Sequence, residues 1–556
     1  MNDNGIVIDN NFKRLTMRLN SDYKISDKVK LGLQTSYANS VNQNGFNNLD
    51  IDENGNIGSV YNDAYRAAPI VPSIVNGKYG NTSVYQNVGN PLLDIKSNSV
   101  KVLGNRLQGS AYLDYKPVDW ITLNTTFGAD LNNSLNRLYN YQIIADNNTY
   151  VTPGGNQQNP LSSLNMKSTQ TFRWVWNNTA TIIKKIDKHE FTFLIGTTAE
   201  KYAQTFISAF RKNIPADPNL WYIGVGDANT SQNDGGGDAW ARNSYLGRLN
   251  YSYEGKYLFT ATLRRDGSSR LPIQNRWQSY PALGAAWVIS NEKFMQNQNL
   301  FDFLKMRASY GKVGNDQIPT NAYTLTVALN QAYPFAGSGS TAVNGAQINQ
   351  IIDPNITWEI TEEYDLATEF GLLHNKLTGE INYYNKTVHN ALINVPIPRT
   401  VGDADGLILT NAAGIQNKGL EVSLNWKDAI NENFSYSIGG NATFNTNTVI
   451  ALNGGQNILD GYVGNQGATT NTDIGHPVGS FYVLKQIGVF NSDLDAANYV
   501  DKNGVQIQPN AHAGDFKYLD AKGSGPIDIN KDRVFMGSYQ PKVYYGINGS
   551  IKYKNC

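Results

Sequence analysis

The chain has 556 residues, enough for several soluble domains or one large barrel. Its 46 basic and 46 acidic residues cancel, which leaves no basic excess to hold a nucleic acid. Mean hydropathy is −0.42, and no run approaches the length of a spanning helix. Strands with one polar face would dilute their apolar residues, so that average does not argue against a membrane. Tyr (33), Phe (20), Trp (9) and Gly (51) are abundant, and Asn is conspicuous. Aromatic residues suit interfacial girdles, while Gly and Asn suit turns and loops. The single cysteine, Cys556, forms no intrachain disulfide.

In chain order, apolar/polar alternation predicts strands near 12–25 and 28–39, 104–116 and 118–130, 170–186 and 189–204, and 242–254 and 256–266. Further strands follow near 279–290, 304–312, 362–373 and 375–386. The clearest pair comes next. Leu420-Val422-Leu424-Trp426 alternates with Glu421-Ser423-Asn425-Lys427, and Phe434 to Asn445 repeats the pattern after a brief turn. One more strand is expected near 480–490 and a last one over Val543–Tyr553, about sixteen in all. Short turns such as Asp187-Lys188, Glu254-Gly255 and His374-Asn375 join the pairs. Long polar loops separate them, near 40–102, 131–169, 205–241, 313–361, 387–416 and 447–539. Short turns at one end, long loops at the other and strands with one greasy face predict an all-β fold: a transmembrane antiparallel β-barrel of the bacterial outer membrane. A soluble sandwich or propeller also alternates, but neither segregates its loops in this way, and no fixed-period repeat is present.

Enzyme signatures are scarce. His189, His374, His389, His476 and His512 form no metal-ligand pair, and no nucleophile elbow or phosphate loop occurs. The chain is therefore not expected to be an enzyme. Aromatic residues in or beside long loops, Tyr139, Tyr141, Trp221, Tyr222 and Trp240, are candidate sugar platforms, with loop packing as the bland alternative. Two acidic loops resemble calcium loops. Asp50, Asp52 and Asn54 occupy positions 1, 3 and 5, with Gly55 at position 6, but position 12 is Tyr61 instead of Glu. In the second, Asp520 and Asp528 are candidate ligands, but Lys522 puts a cation at a ligand position. No other cofactor is expected.

A family resemblance rests on several motifs. Tyr245-Leu246-Gly247-Arg248-Leu249-Asn250-Tyr251, Leu263-Arg264-Arg265-Asp266-Gly267-Ser268-Ser269-Arg270, Asn275-Arg276-Trp277 and Ala286-Trp287-Val288 come first. Leu304 to Gly311, Trp358-Glu359, Gly414-Ile415-Gln416-Asn417-Lys418-Gly419-Leu420-Glu421 and Gly475-His476-Pro477-Val478-Gly479 follow in order. Together they resemble the barrel of SusC/RagA-type TonB-dependent transporters nearly end to end. The resemblance implies outer-membrane import of large nutrients, mostly oligosaccharides and sometimes peptides. It also implies a SusD-like surface lipoprotein as partner, and contact with the TonB complex through an N-terminal region upstream. A family barrel has 22 strands and a plug, so the resemblance makes 1–556 a partial barrel whose plug and closing strands lie outside it. Arg264, Arg265, Asp266, Gly267, Trp277, Trp287, Trp358, Glu359, Asn417, Gly419 and Glu421 are then expected to be structural, and Arg264-Arg265-Asp266 is read as a strand-end network. A passive porin or adhesin barrel is the alternative function.

Overall fold

The computed structural model describes residues 1–556 apart from 45–59, 85–87, 156, 334–342, 349, 402–405, 453–456, 463–466, 524 and 555–556. The main sheet has sixteen strands, ordered as they occur along the chain. They are Asn2–Asn4, Asn11–Ser26, Val29–Asn44, Asn98–Val118, Ile121–Asn140, Ser163–Ile186, His189–Lys212, Gln232–Tyr253, Tyr257–Ser268, Trp277–Val288, Phe301–Asn315, Glu359–Leu372, Leu377–Pro396, Leu407–Asn431, Phe434–Leu452 and Val543–Tyr553. The number equals the expectation, but the membership differs. Asn2–Asn4 pairs with Asn11–Lys13 and was not expected. The strand expected near 480–490 is absent from the main sheet. Ser480–Leu484 belongs to a separate four-stranded sheet and Gln486–Val489 pairs with Phe516–Tyr518, because both find their partners inside the 447–539 segment.

The strands are also longer than the alternation shows. Ser163–Ile186 and His189–Lys212 have 24 residues each. At about 3.3 Å per residue that is roughly 80 Å, far beyond the 9–11 residues a bilayer requires. The expected loops shrink accordingly: 387–416 is mostly strand, with register running from Ala391↔Ala413 to Pro396↔Leu407. Alternation is weak there because Ala391, Ala413, Val449 and Leu452 pack into a buried cluster of their own, so apolar positions no longer mark a single membrane-facing side.

Turns are where local chemistry acts. Glu254 (φ 50°) and Gly255 (φ 65°) both take the left-handed conformation, the type I′ geometry that matches the twist of a tight hairpin. Leu373, His374 and Asn375 do so consecutively.

The chain packs as two compact units. One comprises Met1–Ala180 with Gly196–Asn243, the other Thr181–Ile195 with Ser244–Cys556. In the first, antiparallel register aligns Met17, Tyr37, Leu107 and Leu131 in one row and Tyr23, Leu31 and Leu113 in another. The opposite face carries Arg18, Ser36, Gln108 and Asp130. In the second, one row runs across seven strands through Ala285, Ala308, Leu366, Tyr383, Leu420, Phe444 and Val543. These apolar side chains stay exposed: Met17 60%, Leu366 56%, Leu420 39%. A face of this extent left uncovered is a surface made for an apolar medium.

Candidate functional site

The membrane band is bounded by aromatic side chains. At the short-turn end of the second unit, Tyr257 lies opposite Trp287, and both hydrogen-bond Glu292, at 2.6 and 3.1 Å. His189 Nδ1 contacts the Tyr251 hydroxyl at 2.8 Å, and Lys256 pairs with Glu254 at 3.0 Å. At the long-loop end, Trp277 stacks on Tyr245 with centroids 5.9 Å apart. Trp277 and Trp287 are ten positions apart on one strand and share a face. Ten residues span about 33 Å, which at the usual 35–45° tilt projects to about 25 Å, the height of an outer-membrane apolar band.

The Arg264-Arg265-Asp266 run divides between faces, because neighbouring side chains point opposite ways. Arg264 Nε donates to both Asp266 oxygens (2.8 and 3.0 Å), and its Nη2 donates to Ser244 (2.9 Å), a half-buried network on the polar face. Arg265 lies on the apolar face with its guanidinium 5.9 Å from the Trp277 ring. The expected strand-end network thus holds Arg264 and Asp266 but not Arg265. Gly267 is required by this arrangement: a Cβ there would sit 2.7 Å from Trp277 Cδ2.

The other signature residues are bracing. Trp358 is buried, donates from Nε1 to the Arg276 carbonyl (3.1 Å) and packs edge-on against Tyr280. Glu359 accepts from the Leu392 amide (3.0 Å) and the Asn315 side chain (3.2 Å). Asn417 accepts from Asn447 (2.9 Å), and Glu421 from Asn382 (3.2 Å). At Gly419 a Cβ would stand 2.1 Å from the Phe444 carbonyl oxygen, and Tyr384 lies across the same spot. Nearby on the polar face, Glu369 takes Lys305 (3.1 Å) and Arg307 (3.2 Å), and Arg307 also reaches Glu380.

The candidate platforms separate into two groups, all within the first unit. Tyr139 and Trp221 are 1% and 7% exposed and stack face to face at 4.2 Å. Tyr139 donates its hydroxyl to the Ile214 carbonyl (3.0 Å), and Trp221 its indole N–H to the Pro215 carbonyl (3.2 Å). Tyr141 closes the cluster edge-on at 4.8 Å from Tyr139. For Tyr139 and Trp221 the platform reading is corrected: their ring faces are covered by each other and by loop residues, so they form a loop core. Tyr222 is exposed, 63%, beside that core.

Trp240 differs. It alternates with the polar set of its strand, on the same side as Asp238 and Arg242. Tyr202 stacks on it at 5.6 Å, and the Arg173 and Arg242 guanidinium groups lie 6.0 and 5.7 Å from its ring. Arg173 is ion-paired with Glu200, and Tyr202 donates to Gln204 at 2.8 Å. Arg173 also lines a polar hollow of about 480 Å³ with Arg18, Gln34, Ser110 and Asp130. Sequence reading missed Arg173, Tyr202 and Arg242. The available signal was parity: Tyr202 and Trp240 are large aromatics at positions whose strand neighbours in the alternation are polar.

Of the two acidic loops, the first, with Asp50, Asp52 and Asn54, lies outside the described residues. In the second loop the Lys522 ammonium donates to Asp532 Oδ2 (2.9 Å) and to the Pro526 carbonyl (2.6 Å). Asp520 accepts from the Gly523 amide and Asp528 from the Asn530 amide. Burial pushes the Asp532 carboxyl up, but the Asp528 and Lys522 amides and the Lys522 ammonium outweigh it and hold the group at about 2. The donor set therefore fits a tethered ammonium and not a divalent ion.

An apolar band about 25 Å tall between aromatic girdles, on long antiparallel strands whose other face is charged and polar, defines an outer-membrane β-barrel protein. The comparisons give the family. The family model described as TonB dependent receptor-like, beta-barrel, matches residues 32–537. The chain belongs to this family, and its place is the bacterial outer membrane. The family is one of transporters and receptors, not of enzymes. A TonB-dependent receptor of Formosa agariphila is 31% identical over 575 residues, covering 100% of this chain and 53% of that protein. The TonB-dependent receptor SusC of Bacteroides thetaiotaomicron is 26% identical, covering 100% of this chain and 54% of that protein. The chain thus spans about half the length of the curated relatives it matches. Among solved structures, the RagAB peptide transporter superposes with a TM-score of 0.77 at 22% identity, over 98% of this chain and 56% of that one, a likeness of fold.

Proposed function

We propose that the full-length protein imports a large polar nutrient, an oligosaccharide or a peptide, across the outer membrane, driven through TonB and with a SusD-like lipoprotein as partner. The carrying observation is the Trp240 cluster: an aromatic plane backed by Tyr202 and flanked by two guanidinium groups, on the face that lines the lumen in a barrel of this family. Sugar rings stack on such a plane through their C–H faces, and peptide groups and hydroxyls find donors in the guanidinium rim. Kinship with the TonB-dependent receptor SusC supports an energised importer, and the likeness of fold to the RagAB peptide transporter supports a large substrate.

The test uses the full-length protein. Titration calorimetry against panels of oligosaccharides and peptides should find a binder whose affinity falls roughly tenfold in Trp240→Ala, about 1.4 kcal/mol. Uptake of that binder should cease in cells lacking TonB. Unchanged uptake there would favour a passive porin.

A further inference from the structure

Arg265 is a cation on the wrong face for a soluble protein. Its strand neighbour on that face, Leu263, is 57% exposed, and Leu283 on the adjoining strand is 48% exposed. Arg106, Arg173, Arg264 and Arg307 each have a carboxylate partner. Among the described residues no carboxylate is paired with Arg265, whose contact is the Trp277 ring. The surroundings are built to hold it. Ser279 lies directly opposite Arg265 on one side. On the other, the contacts Arg248–Thr262 and Asn250–Thr260 set a register that puts Tyr245 opposite it. Gly267 leaves the space in which the Trp277 indole lies across the strand.

Height matters as well. Arg265 is eight positions along its strand from Tyr257, at the far edge of the apolar band. An arginine on a lipid-facing surface is costly at the midplane and nearly free at the interface, where its head reaches out of the hydrocarbon. That edge is the long-loop end, which faces outward in such barrels. We propose that Arg265, Tyr245, Trp277 and Ser279 form a binding site for the phosphate of an anionic lipid headgroup in the outer leaflet, with the acyl chain lying against Leu263 and Leu283. The guanidinium supplies a forked, charge-assisted pair of hydrogen bonds to two phosphate oxygens. The hydroxyls flank them, and Trp277 stiffens the guanidinium through its ring face. A free phosphate would gain nothing from the leucines, so the lipid is the occupant.

The experiment is native mass spectrometry of the full-length protein released from detergent with bis-phosphorylated lipid A, and with inorganic phosphate as competitor. Wild type should retain the lipid, and Arg265→Gln should bind it about fivefold more weakly, as expected for one basic side chain at an anionic surface. Arg265→Lys should be intermediate, because it keeps the charge and loses the fork. Millimolar inorganic phosphate should not displace the lipid. Heat-modifiable gel mobility confirms folding, and if Arg265→Gln does not fold, Tyr245→Phe with Ser279→Ala serves instead and should also weaken retention. Equal retention by wild type and variant, or displacement by inorganic phosphate, overturns the proposal. So would a photo-crosslinker at Ser279 that captures a protein and no lipid in cells.

Discussion

Asp63 and Asp94 show what one proton does in this fold. They face each other from helices Val60–Arg66 and Pro91–Ser97, packed through Val60 and Ile95. One oxygen of Asp94 takes the Gln157 amide, and the other is buried with no donor. Burial, then the adjoining Asp63 carboxylate, pushes the Asp94 carboxyl up to about 7, against the pull of Gln157. The folded loop therefore holds a proton between about pH 4 and 7 that the unfolded loop gives up, and local stability falls as pH rises through that window. After discounting for partial exposure the loss is roughly 1–3 kcal/mol by pH 8. Hydrogen exchange of residues 60–97, corrected for intrinsic rates, should show this loss, and Asp94→Asn should flatten it. A wild-type profile already flat from pH 5 to 8 would refute the raised Asp94 carboxyl. The contrast between Trp221 and Trp240 also belongs to this scale. Trp240→Ala should lower substrate affinity, whereas Trp221→Ala should lower loop stability by about 3–5 kcal/mol, the usual cost of emptying a buried aromatic site, and a melting measurement distinguishes the two.

At the scale of the strand, face decides consequence. Leu424 opposes Gly379 and Gly440 on the apolar face; Asn425 opposes Thr378 and Gly439 on the polar one. Leu424→Arg puts a charge in hydrocarbon, at roughly 2–4 kcal/mol near the midplane, while Asn425→Arg enters water. Assembly yield of the full-length protein, read by heat-modifiable mobility, should fall for the first and hold for the second. Equal yields would reverse the facing assignment. Gly419→Ala tests close approach: its Cβ meets the Phe444 carbonyl at 2.1 Å, so backbone must move at about 1–3 kcal/mol. A lower urea midpoint for the folded full-length barrel is expected. Strand existence and facing were legible because period two survives wherever one face is apolar and the other wet. Strand ends were not, because near them Ala391 and Ala413 pack with Val449 and Leu452 in a buried cluster, where apolar side chains no longer mark a membrane face.

For the whole molecule, the long-loop end is where a partner is expected. The 447–539 segment is itself folded, with a four-stranded sheet, a two-stranded sheet and the Lys522–Asp532 pair. A pull-down of the full-length protein with and without this segment shortened should lose a SusD-like lipoprotein in the second case. Recovery of the barrel without any lipoprotein, with both expressed, would leave a constricting role for the loops. Because Lys522 fills the centre of the acidic loop, chelation should leave this segment's protease resistance unchanged, while Lys522→Ala should reduce it. Sensitivity of the wild type to chelator would contradict the tethered-cation reading.

The class of fold, the apolar and polar face of each strand and the family were legible in the sequence, because period-two alternation and ordered motifs such as Leu263 to Arg270 are local properties of the chain. Which aromatics would be buried against one another depended on long-range packing. Tyr139 and Trp221 are distant in sequence yet cover each other, while Trp240 gathers Tyr202, Arg173 and Arg242 around its ring. It likewise divided Arg264 from Arg265, and placed 480–490 outside the main sheet. Each of these depends on which strands become neighbours and in what register, and that is fixed by long-range pairing that no local pattern encodes.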